Sequence, residues 1–376
     1  MNIPITKPFF SEAEEKIAAS SIRSGWVAQG PKVAEFEEVF AEYVDAKYAV
    51  AVSSGTTALH LAMILVGVDD KDEVICPSYS FIATANSIAY AGAKPVFVDI
   101  DPETYNIDPD KIKSAITPKT KAIMPVHQIG LSADMDPIME IARKHNLEVI
   151  EDAACAVGAE YKGNKIGSIS SLSCFSFHPR KVITTGEGGM ITTNSQEYNE
   201  KAKSLRAHGA SVSSVDRHKG KGKIYEQYAD LGYNYRMTDI QGGIGIEQMK
   251  KLEYILERRR SLAEFYNKTL ADIDFIHTPY VPEYSTHTYQ SYSLRLDKDC
   301  KLDRDDIIQR MADMGVSCRR GIPPIHLEPY YRSLLGNLSL PITENVSRRS
   351  FFLPLYPSMT DDEQIYVIDC LRKIIL

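Results

Sequence analysis

From residue 48 to residue 151 the chain alternates short apolar runs with longer stretches whose apolar residues recur at helical spacing. The runs predict strands over 48–52, 73–76, 95–99, 122–126 and 148–151, and the stretches between them predict helices over 58–65, 81–91, 109–115 and 134–145. Strands separated by helices in this rhythm build a mostly parallel sheet covered by helices on both faces, an α/β architecture. Ligands of such sheets sit beyond the C-terminal ends of the strands. That rule singles out the residues just past those ends: Pro77 to Phe81, His127 with Gln128, and Asp152 to Cys155.

Two helices come before the first strand. Ser11 and Glu14 have the spacing of a capping box for a helix that stops at Gly25, and a second helix is expected over 31–43. Beyond the last parallel strand, residues 171–194 read as an apolar entry, a polar knot rich in glycine, and an apolar exit. A helix over 196–206 follows, then a basic loop, then one long helix over 240–270 placed as a hinge. From about Ile273 the pattern breaks into short strands and helices, with segments at 289–296, 304–314 and 361–374 and prolines at 323, 324, 329, 354 and 357. The division expected is a large α/β domain over 1–250, which includes the N-terminal segment, and a smaller α+β domain over 251–376.

Candidate chemistry lies where the pattern breaks. Ser53 to Thr57, between the first strand and its helix, is a strand, small polar turn and helix start. Free amides at Gly55, the positive end of the helix dipole and the hydroxyls of Thr56 and Thr57 suit a phosphate, although a helix capped by its own Ser and Thr has the same sequence. Lys181 follows His178 by three residues, precedes Val182, Ile183, Thr184 and Thr185, and has Gly186, Gly188 and Gly189 nearby. An amine among apolar and small neighbours is where desolvation makes lysine a nucleophile toward a carbonyl, while a surface lysine on a glycine turn reads identically. Asp152 leaves an apolar strand and needs a partner, either a protonated heterocycle or the next helix N-terminus. Phe81 is placed to stack on a flat ring or to fill the core. Trp26, the single tryptophan, either lines a pocket or plugs the core. In the basic loop, Arg217, His218, Lys219, Lys221 and Lys223 fit a clamp on a diphosphate as well as an ordinary solvated face.

Composition narrows the class. With 376 residues, 44% hydrophobic and 25% charged, the chain has globular proportions, and a net charge of -7 without a long basic run disfavours nucleic acid as a partner. Six cysteines without CxxC spacing argue against zinc and for reduced thiols in the cytoplasm. No leader pattern and no apolar run long enough to span a bilayer is present, so no membrane partner is expected.

Six motifs in one order carry a resemblance over nearly the whole chain: Ser-Gly-Thr-Thr-Ala-Leu (54–59), Pro-Ser-Tyr-Ser-Phe-Ile-Ala-Thr (77–84), Glu-Asp-Ala-Ala (151–154), Ser-Phe-His-Pro-Arg-Lys (176–181), Thr-Gly-Glu-Gly-Gly (185–189) and Gly-Tyr-Asn-Tyr-Arg-Met-Thr-Asp (232–239). The chain resembles the sugar aminotransferases of the DegT/DnrJ/EryC1/StrS family. The resemblance implies a fold-type-I pyridoxal 5'-phosphate (PLP) transferase that works as a homodimer with its active sites at the subunit interface. By the same resemblance Lys181 holds the cofactor as a Schiff base, Asp152 pairs with the pyridine nitrogen and Phe81 stacks on the ring. Gly55, Thr56, Thr57 and Ser176, with Asn234 donated by the other subunit, bind the phosphate. Trp26, Tyr79, His178 and Glu187 are implied as residues around the substrate, and the basic loop adds Lys219 and Lys221 as the candidate clamp on the substrate's diphosphate.

The implied reaction takes an amino group from L-glutamate, leaves the cofactor as pyridoxamine 5'-phosphate, and passes the group to a nucleotide-linked keto-deoxysugar, 4-keto before 3-keto. Lys181 itself argues against the sugar dehydratases of the family, which carry histidine there. Cyclitol aminotransferases stay open, and a non-catalytic PLP-binding regulator would need a DNA-binding appendage or a lost lysine. One departure is Cys155, where relatives often carry Gln, His or Glu; a thiol is a weak donor, which bears on substrate choice.

Overall fold

Side chains along the central strands alternate between two cores. In the computed structural model, which describes residues 1–211 and 227–376, Ala49, Ala51 and Val149 pack into one cluster while Val50, Val52 and Ile150 pack into another. Period-2 alternation with both faces apolar produces a sheet buried between two helical layers. The strands are β1 (Tyr48–Val52), β2 (Glu73–Pro77), β3 (Lys94–Val98), β4 (Thr120–Ile123), β5 (Glu148–Asp152), β6 (Glu160–Tyr161), β7 (Asn164–Lys165), β8 (Leu172–Ser176) and β9 (Gly189–Thr193). Seven of them form one sheet in the order β1-β9-β8-β5-β4-β2-β3. Only β9 opposes its neighbours; β8, β5, β4, β2 and β3 pair in parallel.

Helix α1 (Glu12–Ser24) packs on the helix Asp239–Lys250, while α2 (Pro31–Tyr43), α3 (Gly55–Leu65), α4 (Ala83–Tyr90), α5 (Pro109–Ala115), α6 (Met135–His145) and α7 (Gln196–Leu205) flank the sheet. Buried residues of α2, α5 and α6 fill the first cluster, and those of α3, α4 and α7 fill the second. The fourth strand starts two residues earlier than the pattern suggested and ends before Pro125, which has no amide to continue the ladder; its carbonyl instead accepts from Asp152 N at 2.9 Å. The expected long hinge helix is two helices, Asp239–Lys250 and Leu252–Leu270, meeting at Lys251.

The second of these helices straddles the two halves of the molecule. Leu252, Ile255 and Leu256 lie in the large core, whereas Leu262, Tyr266 and Leu270 lie in a third cluster with strands β10 (Tyr292–Leu296) and β11 (Ser350–Leu353). The N-terminus belongs to this third cluster, since Ile3 is buried there and bridges to Val316. Conversely Ile325, Tyr331 and Leu340 pack into the second cluster of the large sheet.

Two carboxylates lock α1 and α2 to the helix Asp239–Lys250. Asp239 accepts the amides of Gly30 (2.8 Å), Lys32 (3.1 Å) and Val33 (3.0 Å), capping α2 from a distant part of the chain. Glu14 takes the Ser11 amide in the capping box, Gln248 Nε2 at 2.7 Å and the Lys251 ammonium. Burial alone would raise the Glu14 pKa, but these donors outweigh it and hold the carboxyl at about 2 against an ordinary 4.5. A depressed acid stabilises the fold fully above its unfolded value and loses that contribution as pH falls toward the folded value. Glu14→Gln is therefore expected to lower the melting temperature at pH 7 and to flatten its decline between about pH 4.5 and 2. Parallel acid limbs for the two proteins would rule this out.

Candidate active site

Three loops converge at the C-terminal edge of the sheet. β1 leads into the N-terminus of α3, β5 ends at Asp152, and the β8–β9 connection carries Lys181. Register brings them together: Gly189 pairs with both Val52 and Ser176, and Asp152 lies opposite Cys174. Gly189 faces the Ser54 carbonyl too closely for a side chain. A Cβ on Gly55 would lie 2.7 Å from Ser176 Cβ, so the start of α3 sits directly on the end of β8.

The segment read as a polar turn is in fact the first turn of α3. Ser54 is its N-cap and Thr57 completes a capping box with it. The cap alters the expected phosphate donors. Thr57 Oγ1 donates its hydrogen to Ser54 O at 2.8 Å and accepts from Ser54 N at 3.0 Å, so its hydroxyl is consumed by the cap. Among the described residues no hydrogen bond takes up the amides of Gly55 and Thr56, and these, with the hydroxyls of Thr56 and Ser176, form a cup at the positive end of the helix.

Asp152 is buried and held by two donors, Thr84 Oγ1 at 2.7 Å and the Ala154 amide at 3.2 Å. Burial raises its pKa, and Thr84, Ala154 and the nearby Lys181 charge offset this only in part. The carboxylate thus lacks a full counter-charge, which a protonated ring nitrogen would supply. Its neighbour Glu151 points to the other side, where His127 Nε2 donates at 2.8 Å and Ser170 and Ser173 add hydroxyls. Burial pushes Glu151 up, but these donors win and its pKa is lowered. His127 Nδ1 accepts the Ala133 amide at 3.0 Å, which leaves the ring hydrogen on Nε2. This buried pair anchors β5 beside the site.

Lys181 is half-buried, and its Nζ lies 3.1 Å from Cys155 Sγ. Cys155, noted in the sequence as a departure, is in direct contact with the candidate amine. Phe81 is 72% exposed just before α4, so it does not fill the core and its ring is open to a ligand. Tyr79, expected at the substrate, is fully buried: its hydroxyl meets Ser350 Oγ at 3.1 Å and its ring packs edge-on to Tyr105, so it braces the two halves of the molecule. His178 is half-buried beside Lys181, its pKa lowered by burial against the opposing pull of Glu187. Glu187 has an exposed side chain, and its carbonyl accepts from Gln241 Nε2 at 2.7 Å. Trp26 is half-buried, with its indole against Gly30 at the start of α2. Asn234 is exposed. Lys219 and Lys221 lie outside the described residues.

Thr84 was not singled out from the sequence; its hydroxyl meets that of Ser80, in the strand-end segment 77–81, at 2.7 Å behind Asp152. Its signal was available: Ser80 and Thr84 stand four residues apart on either side of Phe81, the spacing of one helical turn. A cup of free amides and hydroxyls, a buried carboxylate short of counter-charge, an exposed aromatic ring and a primary amine are the groups needed for a phosphorylated, nitrogen-containing aromatic aldehyde, and PLP fits them.

The sequence model of the DegT/DnrJ/EryC1/StrS aminotransferase family matches residues 9–372. GDP-perosamine synthase of Caulobacter vibrioides is 39% identical over 376 residues, covering 100% of this chain and 98% of that protein. Among solved structures, DesV of S. venezuelae superposes with a TM-score of 0.90 at 31% identity, covering 100% of this chain and 98% of that one. The Streptococcus pneumoniae protein Spr1654, solved in PLP and PMP forms, superposes with a TM-score of 0.93 at 29% identity and the same coverage.

Proposed function

Since the chain belongs to the DegT/DnrJ/EryC1/StrS aminotransferase family, whose members bind PLP, we propose that it transfers an amino group from L-glutamate to a nucleotide-linked keto-deoxysugar, the 4-keto form in preference to the 3-keto. One observation carries the assignment of roles. The Lys181 amine and the buried, under-compensated Asp152 carboxylate stand on neighbouring loops at one sheet edge, beside a cup of unpaired amides. When bound, PLP supplies an electron sink for the carbon that bears the amino group. Gly55, Thr56 and Ser176 hold its phosphate, Asp152 steadies the charge on its ring nitrogen, and Phe81 covers its ring. Lys181 Nζ would hold the cofactor through its aldehyde carbon and, once displaced by the donor's amine, would be the base that takes the donor's α-proton and delivers it to the carbon on the other side of the shared nitrogen. The amine is thus both anchor and base.

The sugar end rests on the relatives, among them GDP-perosamine synthase at 39% identity. The protein in this reading is a homodimer in which exposed Asn234 of each protomer completes the phosphate cup of the other. Light scattering would read the mass, and a monomer would count against this part. The PLP-loaded protein is expected to be yellow and to lose that colour with L-glutamate; a panel of nucleotide-linked keto sugars, added to the bleached protein, should include one that restores it. Failure of every amino donor to bleach the protein would sink the reaction, and restoration by a simple 2-oxo acid alone would sink the sugar assignment.

A further inference from the structure

The peptide unit between Arg180 and Lys181 is fixed at both of its polar atoms. Its N–H donates to His178 O at 2.8 Å, inside the loop. Its carbonyl, on Arg180, accepts from Gln290 Nε2 at 2.6 Å, 110 residues further along the chain. A peptide unit is planar, so pinning both ends fixes the direction in which the Lys181 side chain leaves the backbone.

Gln290 is placed to serve as such a pin. Its own amide donates to Ile129 O at 3.0 Å, and two residues earlier Thr288 N donates to Gly130 O at 3.0 Å. Thr288 Oγ1 also reaches Cys155 O at 3.4 Å. Ile129 and Gly130 both adopt positive φ, and a side chain on Gly130 would strike Thr288 Oγ1, so that turn is shaped to receive residues 288–290. From behind, the wholly buried Arg259 donates to the carbonyls of Tyr289 (3.1 Å), Gln290 (3.3 Å) and Leu355 (3.4 Å). Among the described residues no carboxylate forms an ion pair with Arg259. A buried cation given only carbonyls is costly, and here it secures the backbone that presents Gln290. Residues 288–290 therefore touch all three of the 129–130 turn, the Cys155 turn and the Lys181 loop.

Taking Lys181 as the reacting amine, as in the reading above, we propose that Gln290 is a positioning residue for it: a side-chain amide, delivered from the segment that leads into β10, that sets where the lysine stands. A misplacement of about 1 Å at a reacting group can cost about 10²-fold. Gln290→Ala is expected to slow the L-glutamate half-reaction by about 10- to 100-fold, with the glutamate concentration for half-saturation little changed, since the donor's binding groups are untouched. Gln290→Glu keeps the length but has no hydrogen to donate when ionised, and should match Gln290→Ala.

A readout independent of the cofactor is amide exchange in the cofactor-free protein. Residues 176–190 should exchange faster in Gln290→Ala while the remaining peptides and the melting temperature stay as in the unsubstituted protein. Unchanged loop exchange and an unchanged rate would overturn the proposal, and so would a loss of rate accompanied by faster exchange throughout the chain. Lys181→Ala separates the two readings. If it retains turnover, the site assignment falls; if it is inactive while Gln290→Ala is normal, only the role of Gln290 falls.

Discussion

Lys181→Ala is expected to remove transamination altogether, the largest effect of any single substitution in the molecule. The amine has two duties in the proposed reaction, anchoring the cofactor and moving a proton, and the second alone typically contributes about 10²–10⁴-fold. The fold should tolerate the change. Lys181 is half-buried, among the described residues its Nζ meets only Cys155 within hydrogen-bond distance, and its backbone is held by His178 and Gln290 through atoms an alanine retains. Borohydride reduction of the PLP-loaded protein, followed by peptide mass analysis, should mark Lys181 in the unsubstituted chain and mark no residue in the variant. Lys181→Arg keeps the positive charge but gives a group that stays protonated, so it should be as inactive as the alanine variant. Turnover within about tenfold of the unsubstituted protein in either variant contradicts a base worth about 10²–10⁴-fold.

The parts of the site legible in the sequence are those where a short stretch carries its own physics. The β1–α3 junction could be read because a strand, a run of Ser, Gly and Thr and an apolar helix are contiguous. Lys181 stood out because its glycines and hydroxyls lie within eight residues. Thr57 was misjudged because serving a phosphate and closing a capping box call for the same residue at the same position, and only the geometry of Ser54 shows that the hydroxyl is spent. Tyr79 was placed at the substrate by the family resemblance, but its partner Ser350 lies 271 residues away and nothing near Tyr79 announces it. Gln290 and Arg259 were invisible for the same reason. Each acts through carbonyls of distant loops, and a carbonyl leaves no trace in a residue name. The single long helix failed at Lys251 because periodicity continues through the break: Lys251 closes one helix and opens the next with a helical backbone of its own.

The second large effect is expected at Asp152, where stability and catalysis should move in opposite directions. In the cofactor-free protein burial raises the Asp152 pKa above its ordinary 3.8, so the folded chain holds that proton more tightly than the unfolded chain. The contribution to stability is then fully present below pH 3.8 and lost as pH rises through the folded value. An asparagine never carries the charge. It can still accept from the Ala154 amide through Oδ1, and Thr84 can turn its hydrogen toward Ser80, 2.7 Å away, to accept from the new amide. Cofactor-free Asp152→Asn is therefore expected to melt higher than the unsubstituted protein at pH 7 and to converge with it below pH 3.8. The same variant should lose most of its activity, by about 10²-fold or more, because a neutral amide facing the ring nitrogen cannot hold the positive charge that makes the ring accept electrons. Bound PLP should also stabilise the variant less than it stabilises the unsubstituted chain, since it no longer relieves a buried charge. Equal cofactor-induced shifts in melting temperature, together with unimpaired turnover, would show that Asp152 serves only as the structural end of β5.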